Sequence, residues 1–289
     1  MWFYITILLL FILIVILINY NLPLYYQEDF ENPVKVKDGE IDKLYVKLFD
    51  KVFDEKMMYE GEVKIIDEFL KKEKHKKILE VGCGLGKHYQ LLSKNYQLEG
   101  LERSKAFMDV FKVRNPLGKV KKGDMVEENN YPAESFNVIM CLKETLYHND
   151  FKDWDNILSN LYYWLKPGGI LVIHIFDREK LDPAPRAHSM YKFDEKNRKH
   201  SITHFKNFTH DSWWEVKKRY VKFHEIFAIR DEKNKVSKKR HYVHNLDIPK
   251  KEKIVEKIVS NYFKLVKIVP LENLGVTDHE LYFFKKNKY

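Results

Sequence analysis

Apolar and polar positions fall into three regimes along the chain. Residues 2–18 read WFYITILLLFILIVILI and hold no charged side chain. A helix of that length spans roughly 25 Å, close to the hydrocarbon thickness of a bilayer. It is apolar on every face, unlike the one-sided stripe of a helix packed on a core. It also lacks the basic start and small-residue cleavage site of a secretory signal. The pattern predicts an uncleaved membrane anchor over 1–20 and a polar linker over 21–42, which carries Pro23 and Pro33.

The second regime alternates strands and helices. Leu44, Tyr45, Leu48, Phe49 and Phe53 fall at helical spacing, and Val63, Ile65, Ile66, Phe69 and Leu70 mark a second helix. Short runs at 77–81, 97–102, 119–123, 136–141 and 170–176 read as strands, with helices over 87–94 and 104–113 between the first three. A longer helix carries Phe151, Trp154, Ile157, Leu158, Leu161 and Leu165 and stops at Pro167-Gly168-Gly169. Such alternation predicts a doubly wound α/β fold, a parallel sheet with helices on both faces. After Asp177 the third regime begins, with aromatic and β-branched runs at 201–208, 213–229 and 236–246 that predict antiparallel strands. One more helix face, Ile254, Val255, Ile258, Val259 and Phe263, and strands at 264–269 and 280–284 complete the sheet. The domain assignment is therefore an anchor, a linker and one domain over 43–289, with 177–248 inserted in it as an antiparallel unit.

With 45% hydrophobic and 32% charged residues, the chain is not a disordered, collagen-like or multi-span membrane protein. Fifty-one Lys and Arg against 42 Asp and Glu give a net charge of +9. The basic runs near 71–77, 217–222, 233–240 and 250–253 lack the regular aromatic interleaving of an RNA-binding surface, so they read as solvated faces rather than a nucleic-acid site. Two cysteines, Cys83 and Cys141, cannot make a disulfide framework and suit a reducing compartment. No zinc-ligand spacing occurs, and no metal is expected.

The chemistry concentrates in Glu80-Val81-Gly82-Cys83-Gly84-Leu85-Gly86, which joins a strand end to a helix start. Glycines there allow a tight turn and a close approach of backbone to ligand, and the helix start offers free N–H groups. Lys87 stands where the dinucleotide fingerprint would need its third glycine, so the run is G-x-G-x-G preceded by an acid. This turn resembles the first motif of the class I S-adenosylmethionine-dependent methyltransferases. Gly100-Leu101-Glu102-Arg103-Ser104 is similar to their second motif, and Lys122-Gly123-Asp124-Met125 to their third. The run 136–141 with Leu142, and Leu165-Lys166-Pro167-Gly168-Gly169, resemble their fourth strand and the turn before the fifth. Asn137 departs from the Asp that often opens that fourth strand.

The resemblance implies a Rossmann-like seven-stranded sheet and S-adenosylmethionine as cofactor. It implies a cofactor site made of Glu80, Gly82, Cys83, Gly84, Gly86, Glu102, Arg103, Asp124, Met125, Cys141 and Leu142. Within that set the loop wraps the methionine part, Glu102 holds the ribose hydroxyls, and Asp124 and Met125 meet the adenine. His148, just past the fourth strand, lies where the family approaches the methyl group. His174 interrupts an aliphatic strand and is either a hydrogen-bonded core residue or a member of the cleft. His244 and the Trp213-Trp214 pair belong to the insertion, where they either pack the strands or meet the acceptor. Cys83 reads as a space-filler, and no base stands beside Cys141 in the sequence. The insertion resembles the substrate lids of small-molecule methyltransferases.

The resulting expectation is a single-pass, membrane-anchored methyltransferase with its domain in the cytosol, where the cofactor is made, acting on a small-molecule or lipid acceptor. A tethered protein or RNA methyltransferase is the second reading. A catalytically silent scaffold is the third, against which the intact loop, Glu102 and Asp124 argue. Acidic Glu28, Asp29 and Glu31 outnumber Lys35 and Lys37 beyond the span, and a sequon begins at Asn207, so flanking charge does not support the orientation.

Overall fold

A computed structural model describes residues 34–35, 41–54, 56–71, 77–182, 190–217 and 220–287. The expected anchor and nearly all of the linker lie outside them. Among the described residues no helix is long and apolar enough to cross a membrane.

Strands β1 (Lys77–Val81), β2 (Gln97–Glu102), β3 (Lys119–Lys122), β4 (Phe136–Cys141) and β5 (Leu165–Phe176) run parallel. Helices α1 (Lys43–Val52) and α2 (Lys56–Leu70) precede them. Between the strands come α3 (Lys87–Leu92), α4 (Lys105–Arg114) and α5 (Trp154–Trp164). An antiparallel group follows β5: β6 (Met190–Phe193), β7 (Lys199–His204), β8 (Phe208–Val216), β9 (Val221–Arg230) and β10 (Val236–Leu246). The chain then returns to the first sheet through α6 (Lys251–Ser260), β11 (Phe263–Pro270) and β12 (His279–Lys286).

The first sheet has seven strands in the order β11-β12-β5-β4-β1-β2-β3. It is mixed rather than wholly parallel, because β12 pairs antiparallel with both β5 and β11. The physical reason is length: the connection between β11 and β12, residues 271–278, is shorter than the crossover of about a dozen residues or more that a parallel return needs. Near-continuous apolar runs in β1, β4 and β5 are explained by burial on both faces. Ile78, Val138, Met140 and Val172 pack on one side against Ile66 and Leu70 of α2, Tyr89 and Leu92 of α3 and Phe111 of α4. Leu79, Ile139, Leu171 and Ile173 pack on the other side against the inner stripe of α5 and Ile254 and Ile258 of α6.

The run 213–229, read from sequence as one strand, is two. One strand ends at Val216 and the next begins at Val221, and the Lys217 N–H donates to the Tyr220 carbonyl. Strand β6 had no clear periodic signal. The inner face of the antiparallel group meets α1: Tyr45, Leu48 and Val52 pack with Phe208, Phe227 and Tyr242. Asp42 fixes this junction twice, since its Oδ1 accepts from the Tyr45 backbone N–H at 2.6 Å and from the Tyr242 hydroxyl at 3.1 Å. Replacing Asp42 by Ala removes a helix cap and a cross-element bond together. The expected loss is about 1–2 kcal/mol of stability, read as a lowered midpoint in chemical denaturation.

Candidate active site

Ligands of open α/β sheets bind beyond the carboxyl ends of strands where the strand order reverses. Here that point lies between β1 and β4, and a cavity of about 200 Å³ opens there. Glu80 and Val81 end β1 level with Met140 and Cys141 of β4, and Gly100 and Leu101 of β2. Everything that follows these strand ends therefore converges on one mouth.

The glycine turn is the floor. Gly82, Gly84 and Gly86 have φ of +65°, +50° and +71°, a left-handed backbone that suits glycine. Their surroundings separate their roles. A Cβ on Gly82 would stand 2.4 Å from Thr145 Cγ2, and one on Gly86 2.4 Å from Phe111 Cδ2. A Cβ on Gly84 would meet only the Gly82 carbonyl at 4.0 Å, in the open cavity. Two glycines thus serve packing, and Gly84 alone of the three keeps space for a ligand.

The acids stand around this floor. Glu102 Oε2 accepts from the Gly84 N–H at 2.9 Å and Oε1 from the Ser104 N–H at 2.7 Å, so the second strand end and the loop hold each other. Burial raises the Glu102 pKa against those two backbone bonds. Glu80 is buried, and its Oε2 has no partner. Its Oε1 lies 3.3 Å from His88 Nδ1, and His88 Nε2 lies 2.7 Å from Glu62 Oε2. Burial opposes charge on His88, but the hydrogen bonds to Glu62 and Glu80 outweigh it and raise its pKa. Asp124 lies 3.4 Å from Arg103, and its loop is tied by Asn130 to the Asp124 and Glu127 carbonyls and by Asn160 to the Met125 and Val126 carbonyls. Sequence reasoning missed Asn130 and Asn160, which carry no motif and act only through folding.

The structure brings Glu80, Gly82, Cys83, Gly84, Glu102, Arg103, Asp124, Met125, Leu142, His148 and His244 to the cavity wall. Three expected residues do not reach it. Gly86 caps α3 beneath Phe111 and Asn115. Cys141 is buried in β4, and burial raises its thiol pKa. His174 is 0% exposed, and its Nδ1 accepts the Lys143 backbone N–H at 2.8 Å. Of the two readings of His174, the core one describes its place: it holds the turn after β4, where Lys143 has a φ of +53°. Trp213 likewise lies away from the wall, stacked between the rings of His200 and His224 at 4.5 and 4.6 Å. Cys83 fills the space above Gly100, as a Cβ there would stand 2.6 Å from its Sγ.

Glu62, His174 and His279 offer ligand atoms within 4.8 Å of one another, the one such group among the described residues. The Lys143 N–H, donating to His174 Nδ1, places the imidazole proton on Nε2 and leaves no lone pair there for a cation. The Lys143 ammonium already stands 2.6 Å from Glu62 Oε1. The group is a buried polar network, with the Glu62 pKa held well below the usual range: burial opposes this, and Lys143, His174 and His88 overcome it.

The far wall comes from α1, from the first turn of α4, from the segment after β4 and from the antiparallel group. Tyr45, Phe49, Phe107, Glu144, His148 and His244 line it. His148 is exposed at the cavity mouth, and partial desolvation, with His244 and Arg103 nearby, lowers its pKa, so its ring is neutral at physiological pH. The sequence showed α1 only as an amphipathic helix; its place over the cavity follows from packing on β8, β9 and β10.

The Methyltransferase domain family matches residues 53–215 of this chain. Phosphoethanolamine N-methyltransferase 3 of Arabidopsis thaliana is 27% identical over 147 residues, which are 47% of this chain and 29% of that protein. The chain therefore matches less than a third of the length of that curated relative. A S-adenosylmethionine-bound amino pentose methyltransferase from Micromonospora echinaspora superposes with a TM-score of 0.64 at 16% identity, over 87% of this chain and 100% of that one. A sugar N-methyltransferase from Streptoalloteichus gives 0.65 at 14% identity, over 90% and 99%. At these identities the structural likeness is one of fold.

The glycine roles are separable by mutation. Gly84→Ala should fold, with a strain cost of about 1 kcal/mol for its positive φ, and should bind S-adenosylmethionine at least tenfold more weakly in calorimetry. Gly86→Ala should instead lower the thermal midpoint, because its Cβ collides with the Phe111 ring.

Proposed function

We propose that this chain, which belongs to the Methyltransferase domain family, transfers the methyl group of S-adenosylmethionine to a small-molecule or lipid acceptor at a membrane surface. The observation that carries the reading is the cradle at Gly84. A backbone open to the cavity stands between a buried carboxylate oxygen without a partner, on Glu80, and a second carboxylate already held by the loop, on Glu102. The unpartnered Glu80 oxygen suits an ammonium, and Glu102 keeps lone pairs for a diol. Asp124 and the buried Met125 suit a nucleobase edge and face. The donor set thus fits the zwitterionic, nucleoside-bearing cofactor from end to end.

Bound S-adenosylmethionine supplies an electrophilic methyl group on its sulfonium. This chain supplies position. Gly84 and Glu80 hold the amino-acid end at the β1 terminus, and Glu102 and Asp124 hold the nucleoside beyond β2. Tyr45, Phe49 and Phe107 exclude water from the opposite wall, where the acceptor must line up with the methyl carbon; such alignment supplies much of the rate in an in-line displacement. The antiparallel segment acts as a lid through His244 rather than through Trp213. The phosphoethanolamine and sugar methyltransferases to which the chain is similar support a small polar acceptor. The segment 2–18 supports attachment to a membrane by one N-terminal span, with the domain on the cytosolic side where the cofactor is made and where Cys83 and Cys141 stay reduced.

Incubating the purified full-length chain with methyl-labelled S-adenosylmethionine and separated small-molecule, lipid, protein and RNA extracts tests the activity. Label is expected in the small-molecule or lipid fraction. Label confined to protein or RNA would replace the acceptor class, and absence of cofactor binding would refute the reading.

The anchor has its own test. Full-length protein should stay with membranes after carbonate extraction, and a chain lacking residues 1–20 should not. Protease added to vesicles with their cytoplasmic face outward should digest the domain; protection, or a glycan on Asn207, would reverse the orientation.

A further inference from the structure

The antiparallel group buries a carboxylate that cofactor binding does not use. Glu225 sits in the middle of β9 and is 0% exposed. In the register of the sheet it faces Ser212 and Tyr242, while its strand neighbours Phe227 and Phe223 face His210 and His244. The two histidines are thus its diagonal neighbours on the same face, within reach of a long side chain. Glu225 Oε1 lies 2.9 Å from His210 Nε2, and Oε2 lies 2.9 Å from His244 Nε2. The Tyr45 hydroxyl of α1 donates to Oε2 at 2.8 Å.

Burial opposes the Glu225 charge, but His210 and His244 outweigh it and bring its pKa to about 2. An ionised carboxylate only accepts hydrogen bonds, so each imidazole must carry its proton on Nε2. In a neutral ring the other nitrogen, Nδ1, is then a bare lone pair. For His244 this matters because the ring lines the cavity, 6.1 Å from the His148 ring. Among the described residues, Nδ1 of His244 makes no hydrogen bond. The same wall holds the half-buried carboxylate of Glu144 and the aromatic faces of Tyr45 and Phe49, which suit a cation.

The geometry points to a role that rests on the methyltransferase reading: Glu225 is a positioning residue that keeps the His244 proton on Nε2, so that Nδ1 takes a proton from an ammonium acceptor. An amine entering at neutral pH is mostly an ammonium and has no lone pair to offer. One N–H bond breaks, the proton passes to His244 Nδ1, and the bonding pair stays on the acceptor nitrogen, ready for displacement. The imidazolium that results is stabilised by Glu225, as an acid behind a catalytic histidine stabilises it elsewhere. His148, neutral in the same wall, adds no competing positive charge.

The test uses the full-length chain labelled with 15N-histidine, with the His244 resonances assigned from His244→Gln. The wild type is expected to show His244 protonated at Nε2 and bare at Nδ1. Glu225→Gln puts an NH2 donor where an oxygen accepted, so His210 or His244 must change tautomer, whereas Glu225→Asp should keep both as in the wild type. Methylammonium chloride, the smallest alkylammonium probe, should shift the wild-type Nδ1 resonance of His244. A wild-type His244 protonated at Nδ1, unchanged tautomers in Glu225→Gln, or an Nδ1 resonance indifferent to methylammonium would each overturn the proposal. Calorimetry on the same samples keeps the two readings apart. S-adenosylmethionine affinity should be unchanged in Glu225→Gln, and a wild type that fails to bind it would refute the methyltransferase reading while leaving the tautomer result to stand by itself.

Discussion

Glu62 is a carboxylate on α2 with 0% exposure, and the cavity floor depends on how its charge is met. A buried charge is tolerated only when paired and hydrogen-bonded. Glu62 reaches Lys143 after β4 and His88 on α3, and His88 reaches Glu80 at the end of β1. His174 of β5 lies 3.7 Å away and holds the Lys143 backbone. One carboxylate thereby ties two helices to the ends of three strands, directly beneath the glycine turn. Removing Lys143 or His88 would leave the buried Glu62 charge under-compensated, a costly arrangement.

The same device recurs on the other wall. Glu225 is matched by His210, His244 and Tyr45, as Glu62 is by His88 and Lys143. Both acids lie behind histidines rather than at the cavity surface. The site is therefore built in two depths: residues that touch the open space, such as Glu80, Gly84 and His244, and buried acids that set their protons and orientation. Hydrogen bonds and ion pairs of this kind fix the orientation of the side chains at the cavity wall.

The insertion and α1 depend on each other. Tyr45 packs with Phe208, Phe227 and Tyr242 of β8, β9 and β10, and this burial places Tyr45 and His244 on the same wall. This wall of the cavity is thus made in part by elements that precede β1 and follow β5 in the chain, brought together by the hydrophobic effect across nearly 200 positions.

The sequence alone determined what depends on local backbone geometry. Runs buried on both faces showed β1, β4 and β5, and the glycine turn showed itself between a strand end and a helix start; the acids Glu102 and Asp124 were legible through their resemblance to methyltransferase motifs. The tertiary structure decided which glycine faces a ligand, since only the positions of Thr145 and Phe111 close off Gly82 and Gly86 and leave Gly84 open. It sent His174 into the core and Trp213 to the opposite face of the sheet from His210 and Glu225. The physical reason is register: side chains alternate with period two, so the pairing of β8 with β9 decides which residues face which wall. Glu62 and Glu225 looked like ordinary polar positions in a helix and a strand, because a buried charge is recognisable only once its partners, distant in sequence, have been packed around it.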